Sequence, residues 1–290
     1  MNIIIVGEGE RAAWVERVLA RLRPLAGIAR EGTTHRLGGR GNRESLHALV
    51  QAGVDAVVAV DAASLAQAST RDTTAWHEVV RQDAERAIYI RELVARGGCK
   101  VLTLVGDDQL AWLSELAGAL SLTDIDSAGV EELPPPEAHT TLDSPLVASY
   151  LDPLWASLSG TLPRAIVWPR ECFLNGDLMG DPLPLVMELA GRARILLYGP
   201  YLPLPTGHWR ATGCFGFSPD IEKLPFIFEV VTPNSLMRGF FEVQSGGFFT
   251  VDLEFQITDL LIPIEIRLAS QESALEGQAA LIEVRLEAIG

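Results

Sequence analysis

Two segments of the chain carry residue types at spacings that can do chemistry. The first is Gly7-Glu8-Gly9-Glu10-Arg11-Ala12, which fits G-x-G-x-x-G/A and stands between an apolar run, Asn2 to Val6, and the start of a helical pattern. In that context the glycines permit a tight turn and close backbone approach to a diphosphate, with a helix N-terminus facing the anion. Gly7, Gly9 and Ala12 would then cradle a dinucleotide and Glu31 would meet its ribose. Glu8 and Glu10 work against this, because two carboxylates beside a diphosphate repel it unless a metal ion intervenes. Without a ligand, the same glycines serve a tight strand-to-helix turn.

The second segment is aromatic and loop-like. Trp168-Pro169-Arg170-Glu171-Cys172-Phe173 and Asn175-Gly176-Asp177 precede Tyr198-Gly199-Pro200-Tyr201-Leu202-Pro203-Leu204-Pro205-Thr206-Gly207-His208-Trp209. Trp168, Tyr198, Tyr201 and Trp209 are candidates to offer flat amphipathic faces to sugar rings, with Arg170, Asp177 and His208 as hydrogen-bond partners. The plainer alternative is a proline-shaped loop pinned by core aromatics.

Other constellations are thinner. Glu8, Asp61, Asp107 and Asp108 follow apolar runs and would gather at the carboxyl edge of a parallel sheet, where such folds bind ligands and where a divalent cation could sit. The arrangement loosely resembles a response-regulator receiver domain, but the acid pair after the first strand and the partner lysine are absent. Asp107 or Asp108 is more simply a helix N-cap. Residues 7 to 12 hold neither serine nor cysteine, which argues against a Ser/Cys-His-Asp enzyme built on that loop. His35, His47, His77, His139 and His208 lack metal-ligand spacing, and Cys99, Cys172 and Cys214 read as isolated buried thiols.

The elements that must position these residues change in kind along the chain. Up to about residue 122, apolar strands alternate with amphipathic helices: Val54 to Val60 and Val101 to Val105 as strands, and Thr74 to Arg96 as the clearest helix, stopping at Gly97-Gly98. That order predicts a parallel α/β module of Rossmann-like kind over 1–122. Residues 123–163 read as an acidic, proline-rich linker followed by a bridging helix. From 164 to 290 the signal is period-two alternation, as in Phe249, Val251, Leu253, Phe255 and Ile257, in Ile264, Ile266 and Leu268, and in Ile282, Val284 and Leu286. These strands predict an antiparallel β-sandwich, jelly-roll or immunoglobulin-like.

Composition narrows the partners. The 290 residues carry a formal net charge of −15 with lysine only at Lys100 and Lys223, and no basic stripe is present, so nucleic acid and anionic membranes are poor partners. No run reaches the length of a membrane span, and the N-terminus has no signal-peptide pattern, so the expected location is cytoplasmic.

Gly199-Pro200-Tyr201, then Leu204-Pro205-Thr206-Gly207 before an aromatic-led strand, resembles the β-sandwich modules of bacterial proteins associated with glycosyltransferases and exopolysaccharide loci. The likeness covers roughly residues 165 to 289. It implies an accessory, non-catalytic role in polysaccharide biosynthesis, with the sandwich contacting a glycan or a biosynthetic partner. Two rival expectations stand beside it. One is a nucleotide-dependent enzyme using NAD(P) or a nucleotide-sugar at Gly7 to Ala12. The other is a self-assembling protein, a homo-oligomer joined through an exposed edge such as Phe248 to Ile257.

Overall fold

The computed structural model describes residues 2–6, 9–25, 34–37, 54–60, 73–97, 99–104, 107–121, 131–135, 146–158, 162–221 and 223–289. The chain divides into two compact units. One comprises Met1–Leu142 with Leu158–Gly160, the other Asp143–Ser157 with Thr161–Gly290.

Among the described residues the first unit has a parallel sheet of four strands, β1 (Ile3–Val6), β2 (Thr34–Leu37), β3 (Ala56–Val60) and β4 (Lys100–Leu104), in the order β2-β1-β3-β4. β1 and β3 are buried throughout, which is why both read as unbroken apolar runs. Helices α1 (Gly9–Leu25), α2 (Thr73–Gly97) and α3 (Gln109–Ala119) accompany the sheet. Trp14, Val15, Val18, Leu19 and Leu22 of α1 join Trp112, Leu113 and Leu116 of α3 over the sheet, with the two indoles edge to face at 6.0 Å. Asp108 caps α3, its Oδ1 accepting from Ala111 N at 3.0 Å.

The second unit is a sandwich of two antiparallel sheets. Its strands are β5 (Ala165–Pro169), β6 (Leu174–Asn175), β7 (Met187–Glu188), β8 (Ile195–Pro203), β9 (Gly207–Phe217), β10 (Leu224–Thr232), β11 (Ser235–Val243), β12 (Gly247–Ile257), β13 (Pro263–Ser270) and β14 (Gln278–Ala288). The first sheet runs β11-β10-β13-β8-β6; the second runs β12-β9-β14-β5, with β7 also on β14. The expected bridging helix belongs to this unit, as a π-helical turn (Val147–Leu151) continuing into α4 (Asp152–Ala156). Tyr150 fixes it by donating to Pro203 O at 2.5 Å and by setting its ring edge-on to Trp168.

Strand alternation builds the core. Phe226, Phe228 and Val230 point inward from β10, and Phe215 and Phe217 meet them from β9 across the sandwich. Phe241 of β11 stacks on Phe226 at 5.5 Å. One strand breaks the expected alternation. A register shift between Leu281 and Glu283 leaves Ile282 as a bulge, so Ile282 faces solvent while Leu281, Val284 and Leu286 are buried. Phe226→Ala should cost about 3–5 kcal/mol because the cavity it leaves is walled by rigid rings, whereas Phe248→Ala, on an exposed side chain, should leave stability nearly unchanged. Urea denaturation of both variants checks this contrast.

Candidate functional site

In the α/β unit, Gly7, Glu31 and Asp61 lie outside the described residues. Gly9 opens α1, and Ala12 is wholly buried in the core, so it serves close helix-to-sheet packing. Asp107 is exposed but engaged: it pairs with the guanidinium of Arg11, a buried side chain that also donates from Nε to Pro134 O at 2.9 Å and lies 5.4 Å over the Trp112 ring. The described part of the acidic linker is anchored here too. Trp14 Nε1 donates to Glu131 O at 2.9 Å, and Gln109 Oε1 accepts from Leu133 N at 2.9 Å.

A cavity of about 590 Å³ opens beside these groups, lined by Arg11, Asp107, Glu132, Leu133, Pro134 and Pro135. The cation in this lining is committed to Asp107, and two carboxylates face the cavity. That lining repels a diphosphate.

In the sandwich, the sugar-binding expectation splits. Trp168 and Trp209 are corrected: both are fully buried, Trp168 against Tyr150 and Trp209 with its Nε1 donating to Pro205 O at 2.9 Å. Period-two alternation turns both inward, so neither has a face to offer a ligand. Arg170 is half-buried and braces a turn, donating to Leu183 O at 2.7 Å and pairing with Glu171.

Asp177 receives Arg194 at 2.5 Å, and Arg194 also reaches Glu188 O at 2.7 Å, so this pair holds a loop together. Gly176 lets that loop lie directly on β8, since an added Cβ would sit 2.1 Å from Ile195 O. His208 is exposed on the outer face of the second sheet, opposite Gln256, and lines a separate cavity of about 400 Å³ with Glu254, Asn234 and Met237.

Tyr198 and Tyr201 do come together, on the outer face of the first sheet. Their rings stand edge to face at 6.3 Å. Tyr198 accepts at its hydroxyl from Gly180 N at 2.9 Å, which brings the Asp177 loop alongside it. Tyr201 donates to Glu265 Oε1 at 2.9 Å and holds φ at 62°, a left-handed conformation that costs a non-glycine residue roughly 1–2 kcal/mol.

The residues around this pair follow from the same alternation. With Phe226, Phe228 and Val230 turned inward, Ile227, Glu229 and Val231 point out, and cross-strand register places Arg238, Glu229, Arg267 and Tyr198 in one row. Arg238 Nε donates to Glu229 at 2.7 Å, and Arg267 forks onto Glu265 at 2.8 and 2.6 Å. An apolar row, Phe240, Ile227, Ala269 and Ile195, runs beside the polar one. Alternation with Ile264, Ile266 and Leu268 turns Glu265 and Arg267 outward, but no single-strand pattern groups them with Glu229 and Arg238. Their register across four strands, which no single strand reveals, is what assembles them.

No family model matches the sequence, and no curated protein matches it. Several solved structures match, each of the following over less than half of the chain. TmCBM61 in complex with β-1,4-galactotriose matches at 10% identity and TM-score 0.31 over 43% of this chain and 88% of its own. The K1 cleaved adhesin domain of Lys-gingipain from Porphyromonas gingivalis matches at 12% and 0.32 over 43% and 99%. The C-terminal CBM6 of LamC from Zobellia galactanivorans matches at 9% and 0.28 over 42% and 98%. Scores this low leave the sandwich to be defined by its own strands and registers.

Burial, followed by the hydrogen bond to Glu265 and that residue's charge, raises the Tyr201 phenol well above its ordinary value of 10.0. Folding therefore favours the neutral phenol. The stability this contributes is complete below pH 10.0 and is lost as pH climbs toward the folded-state value. Tyr201→Phe should flatten the alkaline fall in stability, measured as the urea midpoint at rising pH. At the centre of the row, Arg267→Met should destabilise by about 3 kcal/mol, because it leaves Glu265 and Glu229 buried beside a missing cation. Arg210→Ala, which breaks an exposed pair with Glu254, should leave the same midpoint in place.

Proposed function

We propose that the second unit is a carbohydrate-binding sandwich and that a glycan lies across the outer face of the first sheet, at Tyr198 and Tyr201. The observation that carries this reading is Tyr201: an aromatic ring held on the surface by a backbone conformation that costs energy, with its hydroxyl fixed to Glu265. Strain of that kind persists where the surrounding structure over-determines it, and it collects at ligand-binding positions. The neighbouring rows suit a sugar. Arginine forks and carboxylates supply donors and acceptors for hydroxyl groups, while Phe240, Ile227 and the tyrosine rings supply apolar surface for the C–H faces.

The wider role that fits is an accessory, non-catalytic protein of bacterial polysaccharide biosynthesis, supported by the Gly199-Pro200-Tyr201 and Leu204-Pro205-Thr206-Gly207 resemblance. A glycan array followed by calorimetry on the full chain tests the binding. Tyr201→Ala and Tyr198→Ala should each weaken the best glycan by about two- to twelvefold, in keeping with the roughly 0.5–1.5 kcal/mol that a stacked ring contributes beyond its buried area. His208→Ala, on the other face, should leave affinity unchanged. Equal binding by wild type and both tyrosine variants, or no binding across the array, would sink the proposal.

A further inference from the structure

The first sheet ends in a strand whose outer edge has no partner among the described residues, since β11 pairs with β10 alone. Thr232 and Ser235 close a two-residue turn, so Ser235, Met237, Gly239, Phe241 and Val243 direct their backbone hydrogen-bonding groups to β10. Leu236, Arg238, Phe240 and Glu242 direct theirs to the open edge. The side chains of these four are exposed on the outer face, Phe240 at 63%. No proline and no register shift interrupts the nine residues. Such an edge is a template for another strand.

We propose that the strand it takes is β11 of a second copy of this chain, paired antiparallel about a two-fold axis through Phe240. Directly opposite residues in an antiparallel pair share a face. With the centre at Phe240, the two phenylalanine rings meet on the axis, Arg238 faces Glu242 of the second copy, and Glu242 faces Arg238 of the second copy. Other centres lose this match. Centred on Gly239, Arg238 faces Phe240 and Glu242 faces Leu236; centred on Arg238 or on Glu242, like charges meet.

The edge strand of the second sheet offers no equivalent. The outer face of β12 presents Phe248, Thr250, Asp252, Glu254 and Gln256, two acids and no cation. A chain of net charge −15 repels its own copies in general, so self-association needs local complementarity of the kind β11 has. The contact is isologous and closes at two chains. It would join the two first sheets edge to edge and place Tyr198 and Tyr201 of both copies on one continuous face. The dimer stands on the β11 edge alone and does not depend on the carbohydrate reading.

Sedimentation velocity on the full chain tests it, read across a roughly hundredfold range of concentration. Wild type should sediment as a concentration-dependent dimer. Glu242→Arg sets a second guanidinium opposite Arg238 and should give a monomer; Arg238→Glu sets a second carboxylate opposite Glu242 and should do the same. An equimolar mixture of those two variants should recover the dimer, because every opposed pair is then of unlike charge. Phe240→Lys should also give a monomer and carries the test with Glu242→Arg if Arg238→Glu, which also loses its hold on Glu229, fails to fold. A monomeric wild type over the whole range, a dimer that persists in the folded single variants, or a mixture of folded variants that stays monomeric would overturn the proposal.

Discussion

The sandwich depends on an aromatic contact between its sheets. Phe217 meets Phe226 across the sheets at 4.9 Å, and Phe215 meets Phe228 at 5.9 Å. Rings this large contribute much of the apolar area a small sandwich can bury, and their tilted and edge-to-face packing fixes the relative position of the sheets. Because side chains alternate along a strand, burying one set commits the other set to solvent. The outward positions of Arg238, Glu229, Arg267 and Tyr198 follow from that commitment, whereas Tyr201 is the extra residue at the register shift beside Ile264 and Glu265. Slipping β10 by one residue would turn Glu229 into the apolar core and Phe228 out to the outer face, an exchange the core does not tolerate.

The outer face of the first sheet is costly to maintain. Glu229 and Glu265 are almost completely covered although they lie on the solvent side, because the tyrosines and arginines fold over them. Removing carboxylates from water is unfavourable, and the forked bonds from Arg267 offset that cost only while the geometry holds. Hydrogen bonding to Glu265, the largest influence on the Arg267 guanidinium, raises its pKa above the ordinary value and holds it in the charged form. Together with the left-handed Tyr201, this makes a rigid surface. Rigidity would lower the ordering cost of the glycan binding proposed for this face.

The α/β unit uses its chemistry differently. Arg11, which stands inside the glycine-bearing segment, is spent on Asp107, Pro134 O and the face of Trp112. Its role is to tie α1 to α3 and to the acidic segment 131–135. Asp107 therefore acts as a counter-ion, and Ala12 as the small residue that lets α1 approach the sheet. A motif that matches phosphate-binding loops by spacing is here explained, in its described part, by packing and ion pairing.

Much of the architecture was legible in the residues. Apolar runs marked β1 and β3, amphipathic spacing marked α2, and alternation marked β12 and β13, because local propensity and burial agree in those segments. The bulge at Ile282 was not legible, since an inserted residue changes register through the partner strand and leaves no local signature. The aromatic segment was half legible for a similar reason. Sequence determined that Trp168, Tyr198, Tyr201 and Trp209 would sit close to turns; only the tertiary structure decided that the two tryptophans face inward and the two tyrosines outward. Composition likewise determined that acids and arginines alternate on wet strand faces, but aligning Arg238, Glu229, Arg267 and Tyr198 into one row took the pairing of β11, β10, β13 and β8. The physical reason is range: alternation is fixed by the local backbone, while register between strands far apart in the chain is fixed by the side chains that share the core.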